Sequence, residues 1–230
     1  MVNFIHKKFY DVQDLIQIVA LLRAPGGCPW DQVQTHESIR RNLLEEAYEA
    51  ADAIDTGDEA ALKEELGDVL LQVVFHVLIE QERTGLTLDE VADGVCKKLV
   101  FRHPHVFGQV QVENTEQVLT NWEALKQQEK GQQTQIDVLR AVARALPALW
   151  RAEKVQKKAE KAGLTVSDEQ LCRRALCQWV AETEHPADAE AAVGSLLFAA
   201  VDLARALDVD PEQALTRATD EFIDRLANQE

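Results

Sequence analysis

Two pairs of acids stand three residues apart in this chain, Glu46 with Glu49 and Glu65 with Asp68. On a helix such a pair projects from neighbouring points of one face, so each pair can act as a double carboxylate. Around the first pair, Ile39, Leu43, Ala47, Ala50 and Ile54 form an apolar stripe that the acids flank. Around the second, Leu62, Leu66, Val69, Val73 and Val77 do the same, with Leu71 and Phe75 on the opposite face. A helix apolar nearly all round is normally buried in a bundle or an oligomer interface, so its acids are not simply a solvated face. The turn Thr56-Gly57-Asp58 makes the two helices antiparallel neighbours, and all four carboxylates can then converge. Such a cluster repels itself until raised pKa values or a bound cation relieve it. Hard oxygen ligands of this kind suit Mg²⁺ or Mn²⁺. The bland alternative, surface acids that keep a Glu-rich helix soluble, accounts for the spacing but not for the apolar circumference. A di-iron bundle requires Glu-x-x-His on two helices, and the one such spacing is Glu182 to His185, beside Pro186.

A compact basic cluster, Lys97, Lys98 and Arg102, is followed by His103-Pro104-His105. Lys98 and Arg102, four apart, share a helix face suited to phosphate oxygens beside bound cations. The same charges also complement a helix C-terminus, and both readings stand. His103 and His105 read either as phosphate contacts or as capping or packing residues, the commoner role, and lack the spacing of a zinc site. Trp30, between Pro29 and Asp31, offers a ring that either stacks on a base or plugs the end of the bundle, and plugging is the commoner role. There is no phosphate-binding Gly-rich loop and no serine nucleophile elbow.

The elements that must position these groups are helical. Apolar residues recur at helical spacing along the chain, and no alternating strand pattern appears. Helices are expected at about 12–22, 36–55, 59–83, 87–102, 116–130, 137–161, 167–184, 187–207 and 211–226, with an irregular segment at 28–31. Asp11 caps the first, Thr87 and Glu90 have capping-box spacing, and Asp210 precedes Pro211 in the order expected of a helix start. Only 10 Gly and 6 Pro in 230 residues agree with long helices and short connections. The 40 acids against 24 bases give a net charge of −16, which repels polynucleotide backbones and acidic membranes. Cys28, Cys96, Cys172 and Cys177 form no Cys-x-x-Cys pair and suit a reducing compartment. Residues 1–10 lack the apolar segment of a secretory signal, and the apolar run 69–79 is too short to span a membrane. The expected location is the cytoplasm.

Residues 131–135 are the best linker. Across it, 67–72 can be laid on 194–199 and 87–102 on 210–225. This reads as a two-fold internal duplication of helical units, against the simpler view that two amphipathic helix pairs share a composition. The expected repeats are 1–130 and 136–230.

Several stretches together, Cys28-Pro29-Trp30-Asp31, Gln34-Thr35-His36, Leu44-Glu45-Glu46-Ala47-Tyr48-Glu49, Glu64-Glu65-Leu66-Gly67-Asp68 and Arg102-His103-Pro104-His105-Val106-Phe107, resemble the MazG nucleoside triphosphate pyrophosphohydrolases. The likeness covers most of residues 11–130, and the second half is similar to a further MazG repeat. It implies an all-α helical bundle of two tandem repeats, Mg²⁺-dependent, usually dimeric, that hydrolyses nucleoside triphosphates to monophosphate and pyrophosphate. Carried over by position, Glu46, Glu49, Glu65 and Asp68 ligate Mg²⁺, Lys98 and Arg102 hold phosphates, and Trp30 and Gln34 lie towards the nucleotide. Glu49 is the carboxylate assigned as proton acceptor for a water that attacks at the α–β linkage. The second repeat departs from this pattern. Ala192 and Ser195 stand where Glu65 and Asp68 do, and Glu221 replaces Lys98, although Arg225 matches Arg102 and Glu182 and Glu184 survive. One active site per chain follows as the expectation. The rivals are a dUTP or dCTP pyrophosphatase of the same superfamily and a non-catalytic acidic scaffold.

Overall fold

The computed structural model describes residues 4–129, 131, 134–166, 168–182 and 188–228, and every described element is helical. Lys130, the linker residues Gln132 and Gln133, Ser167, Glu184, His185 and Ala187, all used in the sequence reading, lie outside the described residues. The chain divides into two compact units, Met1–Gln111 and Val112–Glu230.

In the first unit, α1 (Val12–Arg23) begins at a reciprocal capping box between Asp11 and Asp14. A one-turn helix α2 (Pro29–Gln32) occupies the segment expected to be irregular, because Pro29 has the fixed φ of a helix start. Helix α3 (Arg40–Thr56) ends on Gly57 at φ 70°, a left-handed conformation that glycine adopts without strain. The side chain of Asp58 then caps α4 (Glu59–Thr84) through the N–H groups of Ala60 and Ala61. A two-residue connection therefore folds α4 back along α3. Helix α5 (Leu88–Arg102) starts at the expected Thr87–Glu90 capping box, and α6 (Pro104–Phe107) adds one turn.

The core of this unit is Val19 from α1, Ile39, and Val74, Phe75 and Leu78 from α4. Burial of each such side chain stabilises the fold by roughly 1.5–3 kcal/mol. Only the C-terminal half of α4 is enclosed, since that is the half α1 packs against. Leu66 in the N-terminal half is 55% exposed, so the all-round burial expected of this helix holds for half its length. Of the α3 stripe, Ile39 and Ala50 are buried, Ala53 joins them, and Ile54 points out.

The second unit contains α7 (Thr115–Glu129), α8 (Gln135–Arg140), α9 (Ala148–Lys161), α10 (Glu169–Glu182), α11 (Ala189–Ala206) and α12 (Pro211–Ala227). The single helix expected over 137–161 is two. Pro147 lacks an N–H and biases its predecessor away from helical geometry, so the chain restarts at Ala148. Helix α7, which precedes the 131–135 stretch, lies in this unit, and Glu123 ties it to α9 through Lys158 (3.0 Å) and Lys161 (3.1 Å). The α10–α11 pair packs as α3–α4 does, in agreement with the duplicated pattern. No described helix is long and apolar enough to cross a membrane.

Candidate active site

The short connection at Gly57-Asp58 brings the acids of α3 level with those of α4, and the buried small residues Ala50 and Ala53 let the helices approach. Glu46, Glu49 and Glu65 each offer a carboxylate oxygen, and these oxygens lie within 4.8 Å of one another. Burial pushes the Glu46 carboxyl above the ordinary range, and the charges of Asp68, Glu49 and Glu65 push it further. Glu65 is raised in the same way, by burial first, then by the charges of Glu49, Glu64 and Asp68 and a hydrogen bond with Glu49. Asp68 sits half-buried one turn from Glu65. It is outside the close triad, yet its charge is the largest neighbouring contribution at Glu46.

This donor set fits a small divalent cation. Oxygens around Mg²⁺ sit at about 2.1 Å from the ion and so at most about 4.2 Å from one another, a spacing these side chains reach by small rotations. The raised pKa values follow from burial and from the crowding of like charges.

The cations take distinct places. Lys97 pairs with Asp93 on the surface at 2.6 Å. Lys98 is half-buried and forms no ion pair among the described residues, whereas Arg102, only 7% exposed, is packed into the end of α5. His103 Nδ1 lies 2.6 Å from the carbonyl oxygen of Leu99, the capping role expected of it.

Trp30 does not plug the bundle. It is 57% exposed on the turn of α2. Gln34 is occupied in shaping that loop, donating from Nε2 to the carbonyl of Trp30 (2.8 Å) and accepting from Ser38 Oγ (2.6 Å).

Sequence reasoning missed the groups that fasten this loop. Arg23 Nη1 donates to the carbonyls of Asp31 (2.7 Å) and Gln34 (3.3 Å), and its guanidinium lies 5.3 Å from the Phe75 ring centroid. His36 stacks on His76 with Nδ1 atoms 2.8 Å apart, and its Nε2 lies 3.2 Å from Glu80. Burial, then the neighbouring His36, lowers the His76 pKa and keeps that ring neutral.

An all-helical unit with an acid triad between two helices, an unpaired lysine on a third and an exposed aromatic on a clamped loop belongs to the class of carboxylate-centred helical hydrolases. The family model described as the MazG nucleotide pyrophosphohydrolase domain matches residues 34–107, from the clamped loop to the end of α6. A nucleoside triphosphate pyrophosphohydrolase/pyrophosphatase MazG of Thermotoga maritima is 40% identical over 221 residues, which cover 95% of this chain and 85% of that protein. A nucleoside triphosphate pyrophosphohydrolase of Escherichia coli K12 is 37% identical over 220 residues, 92% of this chain and 84% of that one. The crystal structure of a mazG-related protein from Thermotoga maritima aligns with TM-score 0.43 and 27% identity, over 50% of this chain and 98% of that chain. The chain belongs to the MazG nucleotide pyrophosphohydrolase family.

Proposed function

We propose that this chain hydrolyses nucleoside triphosphates to nucleoside monophosphate and pyrophosphate at a single site in its first unit. The observation that carries the proposal is the convergence of Glu46, Glu49 and Glu65 within 4.8 Å, beside Asp68. The names of the relatives support the reaction. Glu46, Glu49, Glu65 and Asp68 would hold Mg²⁺, with Mn²⁺ as a substitute. When bound, such an ion neutralises phosphate charge and lowers the pKa of a coordinated water.

The chain's own groups do the rest. Glu49, the most exposed of the triad, accepts the proton of the water that attacks at the α–β phosphate linkage, and pyrophosphate departs with the bridging oxygen. Lys98 contributes an uncommitted ammonium for phosphate oxygens, with Arg102 as a charge behind it. Trp30 offers its open face to the base, and Gln34 sets the loop that carries it. No covalent protein nucleophile is needed. Ala192 and Ser195 leave the second unit without the matching acids, which supports one site per chain.

Leu44, Tyr48, Leu66 and Leu70 leave an apolar face exposed on the α3–α4 pair, which supports a homodimer. The net charge of −16 argues for nucleotide rather than polynucleotide substrates, and the cysteine usage for a cytoplasmic enzyme.

The test is a panel of ribo- and deoxyribonucleoside triphosphates, canonical and damaged, incubated with the purified chain and Mg²⁺ while pyrophosphate is measured. Release from several of them is expected. Strict use of dUTP or dCTP would replace the proposal with the narrower pyrimidine enzyme, and release from none would leave an acidic scaffold.

A further inference from the structure

His36 stands on the connection between α2 and α3, and both of its ring nitrogens have partners on α4. Nε2 lies 3.2 Å from Glu80 Oε2, and Nδ1 lies 2.8 Å from His76 Nδ1, with the ring planes within 6° of parallel. Each contact holds one proton, and the surroundings decide which atom carries it. Hydrogen bonds from Arg83, then Thr84, then His36 hold Glu80 below the ordinary range, as a carboxylate. A carboxylate only accepts, so the first proton is on His36 Nε2. A neutral His36 then has a bare Nδ1, which accepts from His76 Nδ1–H.

The far side of His76 gives the same direction independently. Its Nε2 is buried without a hydrogen-bond partner. A bare nitrogen tolerates that position, whereas an N–H there is a buried donor with no acceptor, the costlier orphan. His76 therefore carries its proton on Nδ1, the minor tautomer of free histidine.

A further proton breaks the arrangement. On His76 Nε2 it makes a buried cation without a partner, and on His36 Nδ1 it sets donor against donor. The charged groups around the pair give little relief. On α4, Glu80 is shared with Arg83. On the loop, Glu37 is exposed and bonded to its own N–H and to Thr35. Arg23 of α1 is committed to Glu82 and the loop carbonyls, and Arg40 of α3 is exposed and adds positive charge.

We propose that His36 and His76 are positioning residues for the nucleotide: a one-way hydrogen-bond chain, His76 to His36 to Glu80, holds the loop that carries Trp30 against α4 while both rings are neutral. This rests on the nucleotide-binding role proposed above for Trp30. The His76 pKa is lowered by burial and then by His36, so the clasp is intact at neutral pH and is lost as pH falls through that lowered value. KM for the nucleotide then rises in acid.

The test uses the full chain. In protein labelled with ¹⁵N-histidine, the two-bond N–H spectrum near neutral pH should show His76 protonated on Nδ1 and His36 on Nε2. His76 protonated on Nε2 overturns the proposal. His76→Leu should raise KM roughly tenfold with kcat little changed. It should also speed amide exchange at Gln34 and Ile39, whose N–H groups are bonded within the loop. His76→Asn puts an amide N–H where Nδ1–H stood and should restore both. Asparagine does not titrate, so KM of that variant should rise less than KM of the wild type between about pH 7 and about pH 5. Unchanged KM and exchange in His76→Leu, no rescue by a folded His76→Asn, or identical pH profiles overturn the proposal. Tautomers and exchange need no turnover. If they follow as stated while no nucleotide is hydrolysed, the assigned reaction falls and the clasp stands; if hydrolysis is normal and they do not follow, the clasp alone falls.

Discussion

Arg23 and Glu82, 59 residues apart, form a two-pronged ion pair, with Nε 2.9 Å from Oε1 and Nη2 2.8 Å from Oε2. The same guanidinium holds the carbonyls of Asp31 and Gln34, so one side chain joins α1, α4 and the loop that presents Trp30. The arginine is 5% exposed and the glutamate 58%, which makes the pair an anchor for the loop more than a buried charge. Replacing Arg23 by Met should lower stability by about 2 kcal/mol, because two loop carbonyls and a carboxylate lose their donor. It should also raise KM for the nucleotide more than it lowers kcat. Denaturant melts and steady-state pyrophosphate release measure the two effects.

Asp68→Ala and Glu49→Gln should each reduce turnover by about 100-fold or more, since each removes a carboxylate from the proposed cation site. Glu182→Ala, in the repeat without partner acids, should leave turnover nearly intact. Full activity in Asp68→Ala protein would sink the site assignment.

The metal-free protein should become more stable when the acid cluster is diluted. Glu65 is raised by burial and by its neighbours' charges, so its ionised form is disfavoured in the fold. Glu65→Gln should raise the melting temperature in EDTA and remove the upward shift that Mg²⁺ produces in the wild type. A thermal scan of both proteins with and without Mg²⁺ decides this, and an unchanged Mg²⁺ shift in the variant contradicts it.

Lys98→Ala should raise KM several-fold with little loss of stability, because the lysine has no ion-pair partner to leave behind. Lys97→Ala should change KM little, since Lys97 is engaged with Asp93 on the surface. Equal effects from the two would remove Lys98 from the phosphate site.

The second unit has its own pH response. Burial raises the Glu123 carboxyl, but hydrogen bonds from Lys158 and Lys161 outweigh it, and the net pKa lies below the ordinary 4.5. A lowered folded pKa means that the stabilisation is complete above the unfolded value and is lost as pH falls through the folded one. The pair's share is about 1 kcal/mol or less, since Glu123 is partly exposed to solvent. Glu123→Gln should therefore be less stable than wild type near neutral pH, with the gap closing in acid as the pH falls below the ordinary carboxylate range. Urea unfolding at both pH values measures it.

Much of this molecule is local information. Asp11, Thr87 with Glu90, and Asp210 with Pro211 mark helix starts through bonds spanning three residues or fewer, so the sequence suffices to place them. The i,i+3 spacing of the acids and the two-residue turn after Thr56 likewise determine that α3 and α4 present carboxylates to each other. Tertiary structure alone decided which acids touch, because helix rotation and packing against Ala50 and Ala53 bring Glu46, Glu49 and Glu65 together and set Asp68 just outside. It also decided that Arg23 clamps a loop, that His36 meets His76 and Glu80, and that α7 joins the second unit through Glu123. Those contacts join residues 8 to 44 positions apart. Their partners are selected by where whole helices come to rest, and no short stretch of sequence carries that.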